Sequence, residues 1–174
     1  ASMNQVEYFG RGPAENYLDR NAGSMVGLYK STAEELYFPY VRPQENGHHT
    51  DTRWVSLSTG KKGLLIQADN TIGFNALRNS IEDFDDEEAT GLSRQWSNFT
   101  PEQVANHDEA AAKNVLRRQH HINDITPRDF VEVCVDLKQQ GVAGYDSWGS
   151  RPEPAYTLPA NREYNWGFTL IPLK

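Results

Sequence analysis

Short runs in which apolar and polar residues alternate recur along the chain, and this pattern predicts β-strands. Residues 52–57 alternate like a half-buried strand, and a turn at 60–63 with glycine at both ends leads into a return strand over 63–68. Residues 130–137 have the strongest pattern, because they are rich in β-branched side chains and alternate in part. The same signals predict further strands over 6–9, 25–29, 72–77, 156–158 and 162–171.

One segment has helical rather than strand periodicity. Thr100 is a predicted N-cap, Pro101 suits the first helical position, and Gln103 can complete a capping box. Apolar residues at helical spacing extend this predicted helix over about residues 101–117. Because its apolar face is narrow and rich in alanine, the helix suits packing against a sheet.

The order of these elements predicts the fold class. About ten short strands, one helix and no regular alternation of strands with helices favour an all-β fold, an antiparallel β-sandwich. No internal repeat and no linker-like segment divides the 174 residues, and this length suits one domain or a large part of one. We therefore expect a single domain with a substantial buried core.

Composition excludes some classes of partner but leaves the compartment open. The net charge of −7 argues against a nucleic-acid or anionic-membrane surface, since both require clustered Lys and Arg. No run reaches the ~20 apolar residues of a membrane helix, and the N-terminus lacks the apolar stretch of a signal peptide. Cys134, the single cysteine, cannot form an internal disulfide and is expected to be buried. We expect a soluble protein, for which both cytoplasm and periplasm remain open.

Two pairs of adjacent histidines and an acidic run over 82–88 invite a metal interpretation. Adjacent histidines on a strand point to opposite faces, and no cysteine or carboxylate stands at a zinc-like spacing to either pair. The acidic run lacks the ligand spacing and the glycine of an EF-hand, so a solvated acidic segment is favoured. The pairs are His48 with His49 and His120 with His121. We predict no metal site in this chain.

A glycine-rich loop late in the chain carries a tryptophan. Residues 141–149, called here the glycine loop, contain three glycines, which permit tight turning, and Asp146, which can hydrogen-bond its own backbone. Trp148 follows, and its flat ring could stack on the apolar face of a pyranose. The alternative is a ring folded back onto the core, and the loop taken alone favours that alternative.

A second loop, residues 42–49, combines a turn signal with several long polar side chains, and is called here the Asn-Gly loop. Asn46 and Gly47 both tolerate positive φ and predict the turn, and Gln44 and Glu45 precede them. Composition alone favours a functional loop and a solvated connector equally.

Four short blocks of sequence together resemble a known family. In chain order they cover residues 10–20, 39–47, 51–54 and 141–148, and they contain Gly-Arg-Gly-Pro, Arg-Pro-Gln-Glu-Asn-Gly, Asp-Thr-Arg-Trp and Asp-Ser-Trp. This combination looks like the C-terminal domain, or small-chain domain, of family 2 β-galactosidases. The resemblance extends over residues 5–77 and 117–174, while the stretch between departs from the usual pattern. We therefore expect one small-chain domain over 5–174 with a divergent acidic and helical insertion over 78–116.

The resemblance implies a galactose-mutarotase-like β-supersandwich. It also implies that the parent enzyme is a retaining glycosidase that hydrolyses terminal β-D-galactosides such as lactose. The two catalytic glutamates of such enzymes, about 5 Å apart, lie in a separate (β/α)₈ barrel, so no catalytic residue is expected here. We expect a C-terminal fragment that lacks the N-terminal portion of its sandwich and has no β-galactosidase activity alone.

The same resemblance implies the partners. These are the catalytic barrel of the same parent chain, the galactoside substrate and further copies in a homo-oligomer, but neither nucleic acid nor membrane. No cofactor is expected in this chain, and any Mg²⁺ or Na⁺ of the parent enzyme would be bound by other domains.

The motifs of the family also imply the site residues. Trp148 would stack on the aglycone or the first-bound substrate at the mouth of the active site, with Asp146 of the same block beside it. The Asn-Gly loop would shift between open and closed forms, with Gln44, Glu45 and Asn46 as its polar tip.

The two arginines of the first block are not assigned to the substrate site. Arg11 and Arg20 are predicted to be structural rather than in direct contact with the sugar, in a turn held by arginine–carboxylate contacts such as Arg20 with Glu15 or Asp19. The competing functional class is a free-standing carbohydrate-binding or interface-forming β-sandwich, since a loop tryptophan and a polar loop fit a lectin-like site equally well.

Overall fold

The computed structural model describes residues 2–84, 122–146 and 149–174. The strands in these residues are β1 (Gln5–Gly12), β2 (Met25–Thr32), β3 (His49–Ser58), β4 (Gly63–Leu77), β5 (Glu132–Asp136) and β6 (Phe168–Leu173). All six form one antiparallel sheet in the order β2-β1-β3-β4-β5, and β6 also pairs with β4. The predicted all-β antiparallel class is confirmed, and such a sheet is compatible with one layer of a sandwich.

The long strand β4 organises one side of the sheet. Its residues 63–68 pair with β6, and its residues 73–77 pair with β5. The two strands predicted here are one continuous strand, because the residues between them stay extended and the Asp69 amide bonds to the Gly167 carbonyl at 3.0 Å. The predicted hairpin turn before β4 is confirmed by the pairing of β3 with β4.

The core lies on one face of the sheet. Val6 and Tyr8 of β1 stand opposite Leu57 and Val55 of β3, and all four are at most 4% exposed. Ile66 of β4 continues this buried row, since it pairs with Val55 and is 4% exposed. This alternation along each strand is the period of two that the sequence pattern indicated.

The C-terminal segment contains less strand than predicted. The strand over 156–158 is wrong, because Pro154–Tyr156 is a 3₁₀ helix that begins at a proline, which cannot donate to a strand ladder. The strand predicted over 162–171 is confirmed only from Phe168, where pairing with β4 begins. The predicted helix over 101–117, most of the insertion over 78–116, the pair His120 and His121, and Trp148 lie outside the described residues. In the described part, no helix is long and apolar enough to cross a membrane.

The chain divides into two compact units. The first consists of Ala1–Phe38, Asn46–Arg78 and Arg128–Lys174, and it contains the whole sheet. The second consists of Pro39–Glu45 and Asn79–Pro127, and its described part contains the 3₁₀ helices Ile81–Asp83 and Ile122–Asp124. Within that second unit, the Asn79 side chain donates to the Thr126 carbonyl at 3.0 Å.

Candidate functional site

Residues 10–20 leave β1 and form a tight turn against the sheet. The backbones of Tyr17 and Arg20 close the turn, and the Arg20 amide donates to the Tyr17 carbonyl at 2.8 Å. The Tyr17 ring is 3% exposed and stacks on the His48 ring at a centroid distance of 5.6 Å. Because this buried ring holds the turn in place, Asp19 occupies a defined position at its tip.

Asp19 holds the base of the glycine loop. Its Oδ1 accepts a hydrogen bond from the Val142 amide at 3.0 Å, and its Oδ2 accepts one from the Ala143 amide at 2.8 Å. A Cβ atom at Gly141 would lie 2.5 Å from Asp19 Oδ2, so this approach requires glycine. The Gly141 amide donates to the Tyr156 carbonyl at 2.7 Å, and the base of the loop is therefore held from two sides.

Further along, the glycine loop turns back on itself. Ala143 and Gly144 have φ angles of 55° and 89°, a left-handed backbone that alanine adopts only at a cost. The Ser150 hydroxyl oxygen accepts from the amides of Tyr145 and Asp146 at 3.1 and 3.4 Å. The Ser150 amide in turn donates to the Asp146 carboxylate at 3.3 Å, so these bonds link Tyr145 and Asp146 to Ser150 across the neck of the loop.

The predicted site residues differ in exposure. Gln44 and Asp146 are exposed and Glu45 is half-buried, whereas Trp148 lies outside the described residues. Asn46 is 1% exposed. Substrate binding by each of the five stays a prediction.

Asn46 and Gly47 attach the end of the Asn-Gly loop to the sheet unit. The Asn46 Oδ1 accepts from the Phe38 amide at 2.9 Å, and its carbonyl accepts from the Asn75 side chain at 2.6 Å. Gly47 has a φ of 72° and donates its amide to the Glu15 carboxylate at 2.7 Å. These two residues are thus held by β4 and by the segment 10–20.

Asn16 completes the attachment of that segment to β3. It is fully buried, and its Nδ2 donates to the carbonyls of Arg11 and Ala14, both at 3.1 Å. Its Oδ1 accepts from the Thr50 amide at 3.0 Å and from the Thr50 hydroxyl at 2.6 Å. A buried amide with both ends satisfied holds its surroundings in one arrangement.

His48 and His49 bond to different elements. The Nδ1 of His48 lies 2.8 Å from Asn75 Oδ1, and the Nδ1 of His49 lies 3.0 Å from the Arg11 carbonyl. The pKa of His49 is lowered to about 4, chiefly by burial; the hydrogen bond to the Arg11 carbonyl opposes this shift, and the neighbouring His48 contributes a smaller lowering. In the described part of the chain, no group of three or more His, Cys, Asp or Glu residues could hold a metal ion.

One arginine–carboxylate contact of the segment 10–20 reaches β3. Arg11 Nε pairs with Asp51 Oδ2 at 2.6 Å, while Glu15 and Asp19 accept from backbone amides.

Sequence reasoning missed the contact between Asp19 and the glycine loop. The bonded residues Asp19 and Val142 lie 123 positions apart, and a backbone amide leaves no mark in the sequence.

Two cavities of the described residues share part of their walls. A groove of about 300 Å³ and a smaller cavity of about 80 Å³ share Leu18, Leu137 and Lys138 in their walls. The groove also presents Tyr164, and the Arg162 guanidinium lies 5.0 Å from the centre of its ring. The walls of the groove thus combine apolar, aromatic, charged and amide side chains.

Three of the four sequence blocks therefore meet in one unit: the segment 10–20 bonds both to the start of β3 and to the glycine loop. The family described as "Beta galactosidase small chain" matches residues 1–170. This chain belongs to the β-galactosidase small chain family.

Individual relatives of this small-chain domain are β-galactosidases. It is 34% identical to the β-galactosidase of Priestia megaterium over 174 residues, which cover 99% of this chain and 14% of that protein. It is 28% identical to the one from Streptococcus thermophilus, with the same coverage of 99% and 14%. The match to the Vibrio cholerae β-galactosidase is 29% identical and covers 96% of this chain and 12% of that protein. The small-chain domain thus spans about one-seventh of the length of the relatives it matches.

Proposed function

We propose that this small-chain domain is the C-terminal part of a β-galactosidase, a retaining glycoside hydrolase that acts on terminal β-D-galactosides such as lactose. The observation that carries the proposal is the family match over residues 1–170. Since the domain spans only 14% of the length of such relatives, we assign the catalytic glutamates to a barrel domain of the same parent chain. Any Mg²⁺ or Na⁺ is assigned to the other domains, and the whole protein to a homo-oligomer.

The glycine loop is assigned the role of a substrate platform. Trp148 would stack on the aglycone or on an acceptor sugar, because the axial C–H groups of a pyranose pack well on an aromatic face. Asp146 would lie beside the sugar. The hydrogen bonds of Asp19 and Ser150 support this role, because a side chain on a loop held at both ends loses less conformational entropy on binding.

The Asn-Gly loop is assigned a separate role as a mobile wall. Gln44 and Glu45 provide its polar groups, and they are more accessible than Asn46. The buried bonds of Asn46 and Gly47 support a loop that is fixed at one end. Such a loop can close over a site and order water without contacting the scissile bond.

Substitution of Trp148 in the full-length enzyme tests the platform. Trp148→Ala should weaken binding of glucose as an acceptor roughly tenfold, about 1–2 kcal/mol, and should change galactose binding less. The measurement is turnover of a chromogenic galactoside over a range of glucose and galactose concentrations. Trp166→Ala is the matched control, since this ring is 45% exposed and packs on Phe168 at 5.7 Å.

Two results would contradict the proposal. Unchanged acceptor affinity in Trp148→Ala would remove the stacking role. Turnover of the chromogenic galactoside by the 174-residue chain alone would overturn the assignment of catalysis to another domain.

A further inference from the structure

The carboxylate of Asp19 bonds to two consecutive amides of a loop that begins 122 residues later, at Gly141. The two acceptor distances, 3.0 Å to Val142 and 2.8 Å to Ala143, use one oxygen each. Each oxygen of the Asp19 carboxylate thus serves one amide. An asparagine at this position would satisfy one amide and turn its own NH₂ group towards the other.

Beyond Gly141, the described residues of the loop are exposed or half-buried. Val142 and Tyr145 are 46% and 60% exposed, and a Cβ atom at Gly144 would meet nothing within 4 Å. Ala143 nevertheless holds a left-handed φ of 55°. Because burial contributes little here, the two hydrogen bonds to Asp19 directly restrain Ala143 and its neighbour against this unfavourable backbone angle.

We propose that Asp19 is a positioning residue for acceptor recognition, acting on the sugar only through the glycine loop. The inference rests on the proposed function, since it needs the loop to serve as a substrate platform. Asp19 would hold the base of the loop, while Asp146 and Ser150 hold its neck. Acceptor specificity would then depend on a carboxylate that does not itself touch the sugar.

The first readout is hydrogen exchange in the full-length protein. The amides of Val142 and Ala143 should exchange at least tenfold faster in Asp19→Ala and less so in Asp19→Asn, which keeps one acceptor. Glu34→Gln is the control, because Glu34 accepts from Arg78 and Asn4 and makes no bond to the loop among those described. Unchanged exchange in Asp19→Ala would overturn the positioning role, whatever the activity shows.

The second readout is the partition of the galactosyl group between water and glucose, with a chromogenic galactoside as donor. Asp19→Ala should weaken glucose binding about tenfold and Asp19→Asn about threefold, with kcat for hydrolysis changed less than twofold. Asp19→Ala combined with Trp148→Ala should be no worse than Trp148→Ala alone, because both act through one loop.

The outcomes distinguish a failure of the proposed Trp148 platform from a failure of the positioning role of Asp19. If Trp148→Ala has no effect on glucose binding, the proposed platform fails and the inference fails with it. If Trp148→Ala weakens glucose binding but Asp19→Ala does not, or if the two effects add in full, the platform stands and only the role of Asp19 is overturned. An equal loss of kcat and acceptor binding in both Asp19 variants would also overturn it, because general destabilisation produces that pattern.

Discussion

The Nδ1 atom of His48 lies 2.8 Å from the Oδ1 atom of Asn75. The Nδ2 of Asn75 donates to the Asn46 carbonyl at 2.6 Å, so its Oδ1 must accept, and His48 Nδ1 carries the proton. All three residues are at most 5% exposed. This arrangement joins β4 to the end of the Asn-Gly loop through side chains that water does not reach.

Asn75→Ala should therefore destabilise the protein. The substitution leaves the buried His48 N–H without this acceptor and removes a donor from the Asn46 carbonyl, at a cost of about 2–4 kcal/mol. Thermal denaturation of the full-length protein and hydrogen exchange of the 46–48 backbone measure the effect. Asn165→Ala is the control, since Asn165 is exposed and its side chain donates to Glu163 at 3.0 Å. Equal stability of the two variants would contradict the prediction.

His49 should make stability depend on pH in a defined window. Burial lowers its pKa from 6.5 to about 4, so the unfolded chain binds a proton that the folded state does not bind between these values. Stability should be full above pH 6.5 and should fall by about 3 kcal/mol as the pH drops to 4. Denaturant unfolding at several pH values measures this change.

The matched variant for this experiment is His49→Asn, which keeps an N–H donor for the Arg11 carbonyl but does not titrate. The aromatic rings of Tyr8 and Phe74, 4.8 and 5.2 Å from the imidazole, offer no countercharge for a protonated ring. The variant should be less stable at pH 7 and should have a flatter profile between pH 6.5 and 4. A profile as steep as that of the wild type would assign the pH dependence to other groups.

Three glycine substitutions should differ in how much they destabilise the protein, according to the backbone angle and the space at each position. Gly47→Ala should cost the most, at least about 2 kcal/mol, because φ is +72° and the new Cβ atom would lie 2.8 Å from the Leu36 carbonyl oxygen. Gly144→Ala has a φ of +89° but open space, so it should cost about 1 kcal/mol. Gly23→Ala meets nothing within 4 Å and should be nearly neutral. Thermal denaturation gives the order, and a cost for Gly23→Ala equal to that of Gly47→Ala would contradict it.

Strands could be placed from the sequence where the pattern is local. Alternation in β1 and β3 reflects one buried and one accessible face, and the glycines at 60 and 63 mark the hairpin between β3 and β4. The same reasoning split β4 in two and extended β6 towards residue 162. Those limits depend on which backbone groups find a partner, and pairing is a property of the whole sheet.

In the candidate site, too, local motifs could be predicted from the sequence but contacts between distant segments could not. Its blocks could be recognised because glycine, proline and tryptophan motifs are contiguous in sequence. The contacts of Asp19 with Val142 and of Glu15 with Gly47 could not, since each carboxylate bonds to a backbone amide that any residue could provide.

The sequence by itself determined the family, the all-β class and the loops that carry the candidate residues, because these follow from local composition and spacing. Only the tertiary structure decided that Asp19 holds the glycine loop and that His49 is neutral. Both depend on burial and hydrogen bonding between segments distant in sequence, which exist only once the sheet has formed.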